Sequence, residues 1–231
     1  KARPTMTAPA IEATGLTKAY DELVALKPLD LTVPAGQSLA LIGHNGSGKS
    51  TFLRIVAGLL ERTGGDLEVA GFDLTDVEAR ATTSYLPDDP VLYDDLSLRE
   101  HCEYISRLHG GDGFDGYALD MCERLGLADR IDDLPARFSR GLRQKSAIVL
   151  ALARPFSLLL VDEPFVGLDQ PGKLVLLDLL DEVHRDGAAT VVATHDPAYV
   201  DRVDRSIALR DGEVVFDGRA SVDEVMALVG G

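Results

Sequence analysis

Apolar and polar positions along the chain change their period from segment to segment, and these changes predict both strands and helices. Leu23–Val33 alternates apolar and polar residues, as a half-buried strand does. Ser38–Ile42 has the apolar character of a buried strand, and two glycines lead into another short strand over Asp66–Ala70. The first part of the chain is therefore predicted to be rich in β-structure.

A different pattern begins near Leu96, where apolar residues recur at helical spacing as far as Ala153. The recurring positions are Tyr104, Ile105 and Leu108, followed by Leu119, Cys122 and Leu125. This spacing predicts a mostly helical subdomain over residues 96–153.

Strand and helix patterns alternate again after this helical segment, over Leu158–Val161, Leu174–Arg185 and Thr190–Thr194. Near-continuous apolar strands that alternate with helices indicate a parallel sheet covered by helices. We therefore expect an α/β core of residues 11–95 and 154–231 with the helical subdomain inserted into it. Residues 1–10 are expected to form an N-terminal tail.

Composition and charge argue against nonspecific binding to nucleic acid and against membrane-spanning helices. The chain has 231 residues, with 38 acidic against 23 basic side chains and a formal net charge of −15. This excess of negative charge opposes nonspecific binding to nucleic acid, which requires Lys and Arg to neutralise phosphates. No apolar run approaches the ~20 residues of a membrane-spanning helix. We expect a cytosolic protein that meets a membrane only through a partner, with Cys102 and Cys122 as reduced thiols that bind no metal.

The most specific motif runs from Gly43 to Ser50 and fits the phosphate-binding pattern GxxxxGK[ST] in full. Glycines let the backbone N–H groups point at phosphate oxygens, Lys49 can reach the β- and γ-phosphates, and the Ser50 hydroxyl can ligate Mg²⁺. A predicted helix over Thr51–Ala57 follows, with its N-terminus toward the phosphates. The residues predicted to contact the nucleotide here are Gly43, His44, Asn45, Gly46, Ser47, Gly48, Lys49, Ser50 and Thr51.

A second motif places two carboxylates directly after an apolar strand. Asp162 and Glu163 follow Leu158–Val161 and so lie at the carboxyl edge of the sheet, where α/β folds bind their ligands. Asp162 can hold Mg²⁺ through its water shell, and Glu163 can polarise the water that attacks a γ-phosphate. Two such acids alone would also suit a helix-capping turn, but beside a phosphate loop they predict hydrolysis of a nucleoside triphosphate.

Further motifs follow in an order that resembles the nucleotide-binding subunit of ATP-binding cassette (ABC) transporters. Phe138–Gln144 resembles the family signature LSGGQ, and Val166–Asp169 resembles the loop that meets the partner subunit. His195 closes the Thr190–Thr194 strand as the family's switch histidine does. Tyr20 lies upstream of the phosphate loop, where the family places an aromatic ring against adenine. The resemblance covers nearly the whole chain, from about residue 11 to residue 225.

This resemblance implies an α/β fold, with a P-loop NTPase (RecA-like) core, an antiparallel β portion and the inserted helical subdomain. It also implies ATP and Mg²⁺ as cofactors, with Glu163 and His195 as catalytic residues. Each ATP would lie on Lys49 of one subunit and against Ser139 and Gly141 of a second copy or a homologous cassette. The other partner would be an integral membrane permease, which would hold the subunit on the cytoplasmic face of the membrane.

Several positions depart from the family pattern. The family usually carries Gln where Asp88 stands; a carboxylate there either retains contact with Mg²⁺ or turns outward and leaves that contact to water. Arg140 and Leu142 replace the first glycine and the glutamine of the signature, and Val166 stands where the partner-facing loop often has serine. The predicted phosphate, metal and catalytic residues are otherwise present, so a working ATPase is expected.

Two functions of different classes fit this resemblance. The first is an ATPase subunit that drives transport by a separate permease, with export as the direction, because the Tyr85–Pro90 segment and the signature resemble those of bacterial exporters. The alternative is a soluble ABC-type ATPase that serves as an assembly or scaffold factor. A nucleic-acid machine fits least, because such relatives typically carry a coiled-coil insertion or two tandem cassettes and the net charge opposes it.

Overall fold

Two β-sheets with helices packed around them form the part of the chain that the structure describes. The structure is a computed structural model and covers residues 8–109, 116–219, 221, 223, 224 and 227, so residues 1–7 of the expected tail lie outside it. The strands are β1 (Ile11–Tyr20), β2 (Leu23–Val33), β3 (Ser38–Ile42), β4 (Gly64–Val69), β5 (Phe72–Asp73), β6 (Thr83–Leu86), β7 (Leu158–Asp162), β8 (Ala189–Ala193), β9 (Arg205–Arg210) and β10 (Glu213–Gly218). The helices are α1 (Lys49–Val56), α2 (Val77–Thr82), α3 (Leu98–Leu108), α4 (Gly116–Arg124), α5 (Arg140–Ala153), α6 (Gln170–Arg185) and α7 (Pro197–Val200).

The first sheet is antiparallel and has the strand order β2-β1-β4-β5. Ile11 pairs with Val33 on one side and with Val69 on the other. Ala10 is fully buried, and its N–H donates to the Val33 carbonyl at 2.8 Å. Ala10, the last residue of the expected N-terminal tail, is therefore hydrogen-bonded to this sheet. Strand β2 has the bounds that the alternating pattern predicts.

The second sheet has the order β10-β9-β3-β8-β7-β6, and every neighbouring pair in it except β10 and β9 is parallel. Strands β3, β7 and β8 are buried along their whole length, as expected of parallel strands covered on both faces. The predicted parallel sheet is confirmed.

Alternate residues of the second sheet contribute to two hydrophobic clusters. Leu39 and Leu41 belong to the cluster that contains α1 and the antiparallel sheet. Ala40 and Ile42 belong to the cluster that contains α6 and the helices between β6 and β7. Side chains of a strand point alternately to opposite faces. The second sheet therefore lies between the two hydrophobic clusters and contributes side chains to both.

Helices α3, α4 and α5 fill the segment between β6 and β7. Ser97 and Glu100 form a reciprocal capping box that starts α3. The predicted apolar face of α3 is partly wrong, because Tyr104 is 46% exposed and Leu108 is 63% exposed. Leu98 and the other buried residues of α3 lie on a face rotated from these two toward α5. Among the described residues, no helix combines the length and apolar character needed to span a membrane.

Both cysteines lie buried in this helical segment, outside any disulfide of the described chain, Cys102 on α3 and Cys122 on α4. Burial raises the pKa of the Cys122 thiol to about 11. The thiol is therefore protonated at neutral pH and packs as a small apolar side chain.

Candidate functional site

Three parallel strands end side by side at one edge of the second sheet, and each leads into predicted site residues. Strand β3 leads into the phosphate loop (Gly43–Ser50), β7 ends at Asp162, and β8 leads to His195. Leu41 and Asp162 both lie in register with Ala193 of β8. The sheet therefore brings together three segments that are far apart in the sequence.

Glycines shape the phosphate loop. Gly46 and Gly48 have φ angles of 84° and 108°, a region that other residues rarely adopt. A Cβ atom at Gly43 would overlap the carbonyl oxygen of Leu209 on β9. Helix α1 begins at Lys49, two residues earlier than the sequence predicts, so the loop passes directly into the helix N-terminus.

The Lys49 ammonium lies at the centre of the loop. It is only 7% exposed, and Nζ donates to the carbonyl oxygens of Gly43 at 2.7 Å and His44 at 3.3 Å. Nζ also lies 3.8 Å from Oε1 of Glu163. His44 and its neighbours at the tip of the loop are exposed. The positive charge of Lys49 therefore lies beneath backbone groups of the loop that a ligand can reach.

Asp162 has the properties of a metal ligand. The residue is 1% exposed, and within the described chain neither carboxylate oxygen has a partner with full hydrogen-bond geometry. Burial raises the pKa of the Asp162 carboxyl; the nearby Ser50 hydroxyl lowers it in part, while the charge of Asp88 raises it further. A buried carboxylate that lacks a fully aligned donor among the described residues and lies next to a hydroxyl fits Mg²⁺, which binds one or two protein groups together with phosphate oxygens and water.

Asp88 lies in the loop after β6 and is exposed. Its charge is close enough to raise the pKa values of Asp162 and Tyr85. Asp88 is therefore exposed to solvent and close to the carboxylate that fits the metal, and its contact with Mg²⁺ stays a prediction.

Glu163 has an unusual backbone conformation at the junction of these segments. Its φ angle is 44°, in the left-handed region, which costs roughly 1–3 kcal/mol for such a residue. The Glu163 N–H donates to the Ala193 carbonyl at 2.8 Å, and Oε2 lies 3.2 Å from Nδ1 of His195. Burial raises the pKa of the Glu163 carboxyl, although the charges of His195 and Lys49 lower it in part.

Hydrogen bonds on both sides hold the segment that carries His195. The Asp196 N–H donates to Thr194 Oγ1 at 3.0 Å, and Asp196 caps α7 by accepting from the Ala198 N–H. Lys173 Nζ lies 3.4 Å from Asp196 Oδ2. The His195 side chain itself is 65% exposed. Sequence reasoning missed Lys173, since a lysine one turn into a helix carries no signal.

The signature segment (Phe138–Gln144) contacts the interface loop (Val166–Asp169) of the same chain. Ser139 is the N-cap of α5 and accepts from the Leu142 N–H at 3.3 Å. A Cβ atom at Gly141 would lie 2.9 Å from the Gly167 carbonyl oxygen, so the two backbones touch. Both Ser139 and Val166 are exposed, and the two motifs together present one surface.

Tyr20 ends β1, next to the turn into β2, and 45% of its surface is exposed. The Lys18 ammonium lies 4.8 Å from the centre of its ring, within range for a cation–π interaction. The ring therefore remains accessible for stacking against a flat ligand such as adenine.

A phosphate loop, a buried carboxylate at the end of a parallel strand and an adjacent glutamate together define a P-loop nucleoside triphosphatase. Within that class, residues 26–166 match the family described as ABC transporter. The chain belongs to this family.

Relatives agree with this membership over most of the chain. The ABC-type transporter ATP-binding protein EcsA of Bacillus subtilis is 34% identical over 89% of this chain and 85% of its own length. The aliphatic sulfonates import ATP-binding protein SsuB of Pseudomonas putida is 36% identical over 90% of this chain and 75% of its own length. The macrolide export ATP-binding/permease protein MacB of Rhodopseudomonas palustris is 35% identical over 92% of this chain, which spans 34% of MacB.

Solved structures show the same fold. An ATP-binding subunit of an ABC transporter has a TM-score of 0.86 at 30% identity and covers 96% of this chain, with its own chain covered in full (100%). A dimeric ATP-binding cassette in a post-hydrolysis state, bound to ADP and Pi, has a TM-score of 0.81 at 27% identity and covers 90% of this chain and 98% of its own. The expected family, the P-loop NTPase fold and ATP hydrolysis with Mg²⁺ are confirmed. The chain is the ATP-binding subunit of a transporter whose cassettes pair with each other and with membrane permeases.

Proposed function

We propose that Glu163 is the general base of ATP hydrolysis in this subunit and that the energy drives export through a separate permease. The position of Glu163 carries the proposal. Its carboxylate lies between Lys49 and His195, 3.8 Å from the Lys49 ammonium and 3.2 Å from the His195 ring. A base in this position faces the place where Lys49 would hold the γ-phosphate.

Each residue of the site has a definite role in this mechanism. Lys49 and the phosphate-loop N–H groups bind the triphosphate and offset its charge. Ser50 and Asp162 would hold Mg²⁺, with Asp88 beside them, and the ion would neutralise charge that develops on the phosphate oxygens. Glu163 accepts the proton of the attacking water, and its raised pKa brings it closer to the pH at which a general base is most effective.

His195 and Tyr20 position the other parts of the reaction. His195 Nδ1 can donate to Glu163 Oε2 and so fix the direction of the carboxylate, while its exposed ring can approach the γ-phosphate. Tyr20 stacks on adenine. Ser139 and Gly141 act on the ATP of a second cassette, because they lie on an exposed surface at the N-terminus of α5, where N–H groups favour anions.

The permease docks on the helical subdomain (residues 96–153) and the segment before it. A cavity of about 250 Å³ lies between β6 and α5, and its lining includes Pro87, Ile105, Leu150 and Arg154. Val91, at its rim, is 93% exposed. A groove with apolar walls next to Asp88 suits a partner segment whose position is sensed at the metal site. Through the permease the subunit lies on the cytoplasmic face of the membrane.

Replacing Glu163 with Gln tests the proposed base. Glu163→Gln should bind ATP with unchanged affinity, while turnover falls by about 10²- to 10⁴-fold, the contribution of a general base. The exposed Glu123 on α4 provides the matched control, since Glu123→Gln should turn over at the wild-type rate. Wild-type turnover in Glu163→Gln would remove Glu163 from the role of base.

Transport direction needs its own experiment, because relatives of similar identity are named for export and for import. Export is supported by the Tyr85–Pro90 and signature segments, which resemble exporter subunits. The subunit should be purified with its permease and reconstituted into vesicles with the cassettes outward. ATP-driven accumulation of substrate inside such vesicles is expected for an exporter; ATP-driven loss of preloaded substrate would identify an importer.

A further inference from the structure

The turn between β9 and β10, formed by Asp211 and Gly212, lies against the back of the phosphate loop. Gly212 is buried, although it occupies a hairpin turn. Its N–H donates to the Ser47 carbonyl at 3.0 Å. We propose that Gly212 is a positioning residue for ATP binding: it joins the phosphate loop to the strand pair that carries Tyr20.

The second half of this connection runs to β2. The Gly212 carbonyl accepts from the Lys27 N–H at 2.9 Å. Lys27 belongs to β2, which pairs along its length with β1, the strand that ends at Tyr20. One residue therefore hydrogen-bonds to both the phosphate side and the adenine side of the site.

Only glycine fits at this position. The φ angle of Gly212 is 78°, and an added Cβ would lie 3.0 Å from the Ala25 carbonyl oxygen and 3.1 Å from the Lys27 nitrogen. Both atoms belong to the backbone of a paired strand and cannot move aside like the end of a flexible side chain. A Cβ would push the turn away from β2 and strain its bond to Ser47.

The phosphate loop packs equally closely on the same strands. A Cβ at Gly48 would lie 2.8 Å from the Ala25 carbonyl oxygen and 3.6 Å from the Gly212 Cα. The backbones of the loop, the turn and β2 therefore meet around Ala25. Because these contacts are mostly between backbone atoms, we expect a displacement of any one of the three to shift the other two; the Leu26 side chain also lies 3.6 Å from the Cβ position of Gly48.

Polar and charged side chains also meet at the exposed rim of this connection. His44 Nε2 at the tip of the phosphate loop lies 3.5 Å from Asp211 Oδ1, and Lys27 Nζ lies 3.2 Å from Glu213 Oε2. His44 Nδ1 also lies 2.8 Å from the Asn45 carbonyl oxygen. The turn thus contacts the loop through both its backbone and its side chains.

The inference rests on the proposed role of the phosphate loop and Tyr20 in binding ATP, and the test separates binding from hydrolysis. Gly212→Ala should weaken ATP binding by at least about tenfold, because small displacements of a positioning group have large effects. The rate at saturating ATP should change less than the affinity does, since Glu163 and Asp162 lie on other strands.

Gly126 provides the matched control. Its φ angle is 71°, and an added Cβ would meet nothing within 4 Å. Gly126→Ala therefore suffers the same backbone strain without a contact near the nucleotide, and it should bind ATP like the wild type. Equal losses of ATP affinity in both variants, or wild-type affinity in Gly212→Ala, would overturn the proposal.

The Gly212→Asn variant distinguishes backbone strain at a positive φ from the steric contact of the added Cβ. Asn tolerates a left-handed φ but keeps the Cβ, so this variant should lose affinity for ATP as Gly212→Ala does; recovery of affinity would overturn the steric argument.

Hydrogen exchange in the wild-type chain provides a test that needs no variant to fold. Addition of ATP should slow exchange at the Gly212 amide by about tenfold or more and leave the Gly126 amide unchanged, whereas an unaffected Gly212 amide would contradict the proposal even if ATP binds and is hydrolysed.

Discussion

Glu163 shows how the charges of the site depend on one another. Its carboxylate and the Lys49 ammonium are both largely buried, at 17% and 7% exposure, and a buried charge without a counter-charge is costly. Each of these groups therefore lowers the cost of the other. The same burial raises the pKa of Glu163, so the feature that suits the residue to accept a proton also destabilises its charged form.

This conflict predicts a pH-dependent gain of stability in Glu163→Gln. The folded chain holds the Glu163 proton more tightly than the unfolded chain does. Below the usual pKa of 4.5 both states are protonated and the carboxyl costs nothing. As pH rises through the folded pKa, the wild type loses stability that the uncharged Gln keeps.

Thermal unfolding of both proteins between pH 4 and pH 8 measures this effect. The difference in Tm between Glu163→Gln and the wild type should be smallest at the acidic end and should grow as pH rises. A difference that does not vary with pH would mean that the raised pKa of Glu163 carries no cost in stability.

The residues that could be predicted from the sequence are those whose chemistry is written in a local pattern. Lys49, Asp162 and Glu163 each stand at a fixed position relative to a strand or a glycine run. Gly212 could not be predicted in the same way. Its Asp-Gly pair signals a hairpin turn, but only the sheet order shows that this turn lies behind the phosphate loop.

At the scale of elements, helix α5 links the two surfaces of the cassette. Its N-cap is Ser139, and its last turns line the cavity proposed for the permease. Gln144 Nε2 donates to the Pro164 carbonyl at 3.3 Å, and Lys145 Nζ lies 2.9 Å from Asp169 Oδ1. The helix is thus tied to the segment that follows Glu163.

Two serine caps in this region allow a paired test. Ser139 caps α5 and Ser97 caps α3. Replacing either serine by Ala should lower the free energy of unfolding by about 1 kcal/mol, the usual cost of a lost N-cap. Only Ser139→Ala should also lower the ATPase rate, because only Ser139 is proposed to act on the partner's ATP.

Chemical denaturation and ATPase assays of both variants check this prediction. Equal ATPase rates for Ser97→Ala and the wild type would establish that loss of a cap alone does not disturb catalysis. Normal turnover in Ser139→Ala at high protein concentration would contradict a role for its hydroxyl between subunits.

Hydrogen bonds between Ser38, the first residue of β3, and Asp204, the residue before β9, join the starts of these two strands. Asp204 Oδ2 accepts from the Ser38 N–H at 2.9 Å and from Ser38 Oγ at 2.8 Å. Burial alone would raise the pKa of Asp204, but these hydrogen bonds, together with the nearby His184 and Arg219, outweigh it, and the pKa lies below its usual value of 3.8. The charged carboxylate therefore stabilises the fold.

Asp204→Asn should lower the free energy of unfolding by about 1–2 kcal/mol at neutral pH, as loss of hydrogen bonds to a charged group does. The wild-type advantage is fully present above pH 3.8 and disappears as pH falls through the lower pKa of the folded state. Urea denaturation of both proteins at pH 7 and near pH 3 tests the sign. An advantage that increases on acidification would be inconsistent with the lowered pKa.

Element positions followed from the sequence where the periodicity was unambiguous. β2 has its predicted bounds because one of its faces is buried and the other is solvated. The predicted face of α3 was partly wrong, because Tyr104 and Leu108 have helical spacing but α5 packs against an adjacent stripe that includes Cys102. Periodicity identifies a helix, whereas the identity of its buried face depends on its neighbours.

At the scale of the whole molecule, the cassette has an incomplete catalytic surface. Ser139 and Val166 are both exposed, on two segments whose backbones meet at Gly141 and Gly167. We propose that a second cassette completes the site. Glu163→Gln with ATP and Mg²⁺ should therefore elute at twice the mass of one chain, because binding persists without turnover.

Size-exclusion chromatography with light scattering measures this association. The same variant without nucleotide should elute as a monomer, since each chain carries a net charge of −15 and like charges repel. A nucleotide-independent dimer would indicate a different interface. A monomer at saturating ATP would contradict the shared site.

The way in which the helical segment between β6 and β7 joins the sheet has a consequence for how such subunits can evolve. Strands β6 and β7 are adjacent and parallel, so this segment leaves the sheet at the carboxyl end of β6 and returns at the amino end of β7. Ser84 Oγ of β6 donates to the Ala151 carbonyl of α5 at 2.7 Å, and the two ends of the segment are held by one pair of neighbouring strands whatever lies between them. An exchange of this segment between related subunits would leave β3, β8 and the phosphate loop in place, while Ser139 and Gly141 would be exchanged with it. If the permease docks on this segment as proposed, a cassette could acquire a new membrane partner and keep its phosphate loop, Asp162 and Glu163.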